Sequence, residues 1–162
     1  MKIKYISWLP AFIIMVAIFY FSSMPATESG ESSLMLSNNI LNTYENIAKI
    51  SYDGVERFQV LSVLDHIVRK SAHFMEYMVL AAAWFIHFSI WKTGMRWRLA
   101  LSISITSVYA ATDEFHQTFV AGRSGQISDV LLDSVGAATG AFVLLVLVIM
   151  IKKRKSKGNK QL

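Results

Sequence analysis

The chain has 162 residues, 54% of them hydrophobic and 17% charged, with a formal net charge of +5. That is too apolar for an ordinary soluble domain and too short for several domains. It has no cysteine, which excludes a disulfide framework, a thiolate nucleophile and a cysteine metal site.

The N-terminal stub holds Lys2 and Lys4 and leads into the apolar run Ile6–Ser22, close to the roughly 20 residues that cross a bilayer. A cleavable signal peptide is the competing reading of residues 1–26. The run is long for such a segment, and the small residues around Ser23 make a poor cleavage pattern. Pro25 ends the helix, because proline disfavours helical geometry in the residue before it. Thr27–Ser33 is small and polar and reads as a flexible turn. Asn39–Ile50 places Ile40, Leu41, Tyr44, Ile47 and Ile50 at helical spacing, with Ser37 or Asn38 as cap, and Ser51–Gly54 breaks it. Val55, Phe58, Leu61, Leu64 and Val68 carry the helical period toward the second span. They predict an outer amphipathic segment on the membrane surface, or a small cap on the bundle.

Ser71–Trp91, Arg98–Val120 and Val130–Ile151 are the remaining long apolar windows, the first despite His73, Glu76 and His87. The reading is an all-α membrane protein in one domain, 1–162. It has four transmembrane helices near 6–23, 69–91, 97–119 and 129–151 and a disordered basic tail at 152–162. Eleven of the sixteen Lys and Arg lie in the N-terminal stub, the Lys92–Arg98 connector and the tail, and all eleven Asp and Glu lie elsewhere. The positive-inside rule puts both termini in the cytoplasm. The tail is then a lipid-facing anchor, and no nucleic-acid partner is expected.

The polar residues inside the spans share one depth. At 100° per residue, His66, Arg69, Lys70, His73, Glu76 and Tyr77 of the second helix occupy a stripe roughly 120° wide. Asp113, His116 and Gln117 share a face near the outer end of the third, beside Glu114. Asp129, Asp133, Gly136 and Gly140 share a face of the fourth, and such small-xxx-small spacing lets a second backbone approach. Ser22 and Ser23 end the first helix at that level. The loop Ala121–Gln126 crosses above, with Gly122 suited to a turn and Arg123 placed to fold onto carboxylates. His87 belongs to the cytoplasmic interface and His66 to the surface. Ionisable groups within a span cost several kcal/mol unless paired or hydrated, so the set either pairs internally or faces a water-filled, outward-opening pocket.

Three chemistries use these residues. His73, Asp113 or Glu114, His116 and Asp133 suit a divalent metal such as zinc or manganese, with Glu76 as general base, although no HExxH occurs. Alternatively Arg69, Lys70, Arg123 and the histidines bind an anionic or amide-rich headgroup, with the carboxylates orienting them. Or the set only holds helices together.

At these residues the chain resembles the VanZ-like family of bacterial membrane proteins. The matching pieces are Phe21-Ser22-Ser23-x-Pro25, Arg69-Lys70-x-x-His73-Phe74-x-Glu76-Tyr77, Asp113-Glu114-x-His116-Gln117-x-Phe119, Gly122-Arg123 and Asp129, with Asp133 and Gly136 beyond. The family often has proline where Ala121 stands, and asparagine is common at the position of Asp133. The resemblance implies a protein of the bacterial plasma membrane acting at the cell envelope. The founding member is associated with low-level teicoplanin resistance in Gram-positive bacteria. Three functions follow as expectations. The first is limiting a lipoglycopeptide by binding or modifying a lipid-linked envelope component. The second is metal-dependent hydrolysis or transfer on a lipid or lipid-linked saccharide, with His73, Glu76, Asp113, Glu114 and His116 catalytic. The third is a non-catalytic assembly or adaptor role.

Overall fold

The computed structural model describes residues 3–158, and these form helices without strands. The elements are α1 (Ile3–Ile6), α2 (Leu9–Ser22), α3 (Ala26–Ala48), α4 (Gly54–Ile90), α5 (Met95–Gln117) and α6 (Ile127–Gly158). Lys2 and the part of the basic tail that includes Lys160 lie outside the described residues.

Pro25 does stop the first apolar helix, but it also starts the next one. Its extended backbone (φ −52°, ψ 150°) places it immediately before α3, which then runs 23 residues without a break. The predicted turn at Thr27–Ser33 is therefore helix. Its serines satisfy themselves on the helix's own carbonyls, Ser29 on Ala26 and Ser33 on Gly30, so small polar residues do not force an open loop here. Ser37 is likewise no cap: it is buried mid-helix and donates to the Ser33 carbonyl. Lys49, at φ 58°, ends α3 in the left-handed conformation, and Asp53 leads into α4.

α4 is one uninterrupted helix of 37 residues, not an amphipathic segment followed by a separate span. At 1.5 Å per residue it is about 55 Å long, nearly twice a bilayer's hydrocarbon core. Its N-terminal part packs antiparallel on α3. There Arg57 donates to Asn38 and Asn42, and Gly30 lies against Arg69.

Among the described residues three helices are long and apolar enough to cross a membrane: Lys4–Ser22, Gly54–Ile90 and Ile127–Arg154. The predicted span around 97–119 corresponds to α5, which is not among them. At 23 residues α5 has the length, but its inward face is Ser102, Thr106, Ala110, Asp113 and Gln117, all buried. Polar groups that a window average counts against membrane insertion are here turned into the bundle. The apolar side chains of the other helices face outward instead, Phe12, Ile13 and Val16 on α2 and Phe142, Val143 and Val146 on α6 among them. An outward-facing apolar surface of this kind suits lipid. α6 also passes the predicted end at residue 151 and continues through Gly158, so the first part of the expected disordered tail is helical, with Lys152, Lys153 and Arg154 exposed.

α4 and α6 form the most extensive helix pair. Gly136 and Gly140 of α6 lie against the backbone carbonyls of Phe74 and Met78 of α4, with no room for a side chain at either glycine. This is the close approach that the four-residue glycine spacing predicts. Replacing Gly140 by Val drives a side chain into the Met78 carbonyl and lowers stability by about 1–3 kcal/mol or more. Val135→Leu, on the exposed face of the same helix, stays within about 0.5 kcal/mol of the parent. Reversible unfolding in mixed micelles measures both.

Candidate functional site

The polar residues gather where α2 and α5 end and α4 and α6 pass. At the centre is Asp113, 3% exposed. Its Oδ2 accepts three hydrogen bonds: from Ser22 Oγ at 2.8 Å, Tyr77 OH at 3.0 Å and Gln117 Nε2 at 3.1 Å. One oxygen thus ties α2 and α4 to α5, and its donors stand in for the water that burial removes.

Glu114, one residue on, points about 100° away around the helix. It is buried, and its Oε2 accepts the backbone N–H of Gln126 at 3.0 Å, fixing the α5–α6 loop. Gly125 of that loop lies against the Glu114 carbonyl with no space for a Cβ, and Gly122 turns the chain at φ 74°. The loop is also pinned to the far side of the bundle, where the Ala26 N–H donates to the Ala121 carbonyl at 3.2 Å. Arg123 does not fold onto carboxylates as expected. Its Nε donates to the Met24 carbonyl at 3.1 Å and its Nη2 to the Phe21 carbonyl at 3.2 Å. The exposed carbonyls at the end of α2 carry partial negative charge and attract this cation. Burial lowers the pKa of Arg123 and the nearby charge of Arg69 adds to that, while Asp113, Glu114 and Glu76 act in the opposite sense.

Two cavities flank this arrangement. The first, about 160 Å³, is polar. From α4 it is lined by His66, Arg69, Lys70 and His73. Glu114 and Gln117 line it from α5, Arg123, Ser124 and Gln126 from the loop, and Asp129, Leu132 and Asp133 from α6. Lys70 Nζ meets Asp129 Oδ1 at 2.7 Å, joining α4 to α6 across it. Asp133 is 1% exposed, and neither of its carboxylate oxygens has a hydrogen-bond partner among the described residues; His73 Nδ1 is equally unmatched there. The second cavity, about 350 Å³, is a cleft between the end of α2, the start of α3 and α4. Phe21, Met24, Leu36, Val68 and Ala72 give it an apolar lining, with Glu76 beside them. Arg69, His73 and Arg123 border both cavities.

Not every expected member joins. His116 faces α2: its Nε2 lies 3.2 Å from Ser23 Oγ, and its ring sits 4.7 Å from that of Phe19. On a helix it is offset about 60° from Asp113, away from the side that Gln117 and Glu114 occupy. Tyr77 is sealed against Asp113 and borders neither cavity. Glu76 pairs with neither Lys70 nor Arg123 and lies in the cleft. The proposed metal ligands His73, Asp113, His116 and Asp133 are thus divided, and no three His, Asp or Glu side chains among the described residues converge as a ligand set. Five participants escape the sequence reading. Gln126 acts through its backbone, Asp65 receives Arg69 at 3.2 Å, and Ser29, Ser32 and Ser33 line the cleft. The Asp65–Arg69 pair alone was visible beforehand, as an i, i+4 spacing.

These features define an all-helical protein with membrane-compatible helices and an internal polar centre at one end of the bundle. The chain belongs to the VanZ/LLP1 family, whose model matches residues 7–150. It matches no curated protein and no solved structure.

The three donors on one oxygen set an order of effects. Asp113→Ala leaves them unmatched inside the bundle, at about 1–3 kcal/mol for each donor that finds no other partner. Tyr77→Phe removes one donor and costs about 1 kcal/mol. The comparison is read from unfolding midpoints in detergent.

Proposed function

We propose that this is a multi-pass protein of the bacterial plasma membrane that holds the head of a lipid-linked envelope component in the polar cavity, and so limits the action of a lipoglycopeptide such as teicoplanin. The observation that carries the reading is the pairing of unmatched buried donors and acceptors with space beside them. Asp133 and His73 border a cavity and have no protein partner there. Asp113 has three donors on Oδ2 and leaves only Oδ1 unmatched, whereas both oxygens of Asp133 lack a donor among the described residues and border open space. Membership of the VanZ/LLP1 family supports an envelope role.

In this reading α2, the C-terminal part of α4, α5 and α6 are the four spans. The basic Lys92–Arg98 connector and both termini lie in the cytoplasm, and the cavity opens outward. The absence of cysteine makes the arrangement simple to test, because any introduced cysteine is the single thiol. In intact cells Ser124→Cys reacts with a membrane-impermeant maleimide and Lys92→Cys does not until the membrane is broken; the opposite pattern inverts the topology.

The functional test is the teicoplanin inhibitory concentration of a sensitive Gram-positive host. Overproduction of the chain raises it a few-fold. Arg123→Ala, which removes a cation common to both cavities, returns it to the vector level at equal membrane abundance. An unchanged inhibitory concentration with the parent protein present in the membrane removes the resistance role.

A further inference from the structure

The two cavities lie on either side of Arg69, His73 and Arg123, which line both, and their chemistries are ordered. Phe21, Met24, Leu36, Val68 and Ala72 give the α2–α3–α4 cleft an apolar wall beside the α3 serines and Glu76, cations stand at the seam, and an unmatched carboxylate borders the polar cavity. At the seam, Arg123 spends two hydrogen bonds on neutral backbone carbonyls and forms no ion pair with a carboxylate. Three of its five N–H donors remain. Arg69 has Asp65 as partner, but its side chain is 44% exposed and reaches both cavities. Lys70 is already held by Asp129. Beyond the seam, Asp133 is 99% buried with two acceptor oxygens unmatched, so it calls for N–H or O–H donors.

We propose that the cleft and the cavity form one site for a small-headed phosphodiester lipid, with hydrocarbon in the cleft, phosphate on Arg123 and Arg69, and a donor-bearing head group on Asp133. The proposal rests on the reading of the cavity as a site for envelope lipids and narrows it. The order of the walls selects the class. A carboxylate ends a chain, whereas a phosphodiester sits between a hydrocarbon on one side and a polar substituent on the other. That substituent must carry hydrogen-bond donors, since acceptors or methyl groups leave Asp133 unsatisfied. At about 160 Å³ the polar cavity suits a compact head. The free N–H groups of Arg123 meet phosphate as a charge-assisted donor set.

Phosphatidylethanolamine and phosphatidylcholine with the same acyl chains separate the donor from the rest, because the choline nitrogen has no N–H. Native mass spectrometry of the full chain in detergent, with the two lipids in competition, shows phosphatidylethanolamine bound about tenfold more tightly, a difference near 1.4 kcal/mol. Asp133→Asn brings the ratio close to one, whereas Arg123→Gln weakens both lipids together. Free phosphoethanolamine, which lacks the chains, competes poorly. Ala72→Phe, which fills the cleft, lowers occupancy by lipid and leaves phosphoethanolamine binding unchanged. Equal binding of the two lipids by the parent protein overturns the proposal without recourse to any variant. So does phosphoethanolamine competing as well as the whole lipid, which would leave a headgroup or free-phosphate site without the cleft. The resistance reading stands or falls separately: a raised teicoplanin threshold with no lipid discrimination defeats this inference alone, and discrimination without a raised threshold defeats the resistance role alone.

Discussion

A carboxylate enclosed among helices loses its hydration, and the bundle must return the equivalent in hydrogen bonds. Asp113 shows how that requirement organises this protein. Ser22 at the end of α2, Tyr77 within α4 and Gln117 on α5 all donate to one of its oxygens. Three helix positions are therefore set by one acceptor. The same end of the bundle carries the loop pinned by Glu114 and by Arg123, so the mouth of the site inherits its shape from this node.

Among the described residues, Asp113 has donors on one oxygen and none on the other, while Asp133 has none on either and His73 none on Nδ1. Asp133 and His73 sit on facing helices, α6 and α4, whose backbones touch through Gly136 and Phe74. Close glycine packing brings the polar side chains of both helices to one cavity, yet it leaves Asp133 without a donor from either. Packing and site are thus built by the same face: the glycines determine how near the helices lie, and the residues one turn outward determine what that nearness can bind. Lys70 and Asp129 close the arrangement at the rim.

Much of this was legible beforehand because helical periodicity is a strong constraint. The glycine pair, the inward stripe of α4 and the membership of Asp113 and Gln117 on one face followed from spacing alone. The failures have physical causes. Serines read as a turn can bond back to their own helix, so Thr27–Ser33 became part of α3 and of a cleft lining. α5, read as a span, is less apolar than the three membrane-length helices because its seam carries Ser102, Thr106 and Asp113, which folding turns inward. His116 belongs to the motif, but an angular offset of one side chain is enough to turn it toward Phe19 and away from the cavity. Arg123 was expected to seek charge and found backbone carbonyls, which no residue pattern announces.

The unbroken course of α4 from Gly54 to Ile90 has a mechanical corollary. Neither glycine nor proline interrupts it after its first residue, so it has no built-in hinge. Its N-terminal arm is clamped to α3, and its middle carries Arg69, His73 and Tyr77. A force applied to that arm acts as torque on a lever whose fulcrum is the glycine contact with α6. Tilting the arm swings Arg69, His73 and Tyr77 as one piece.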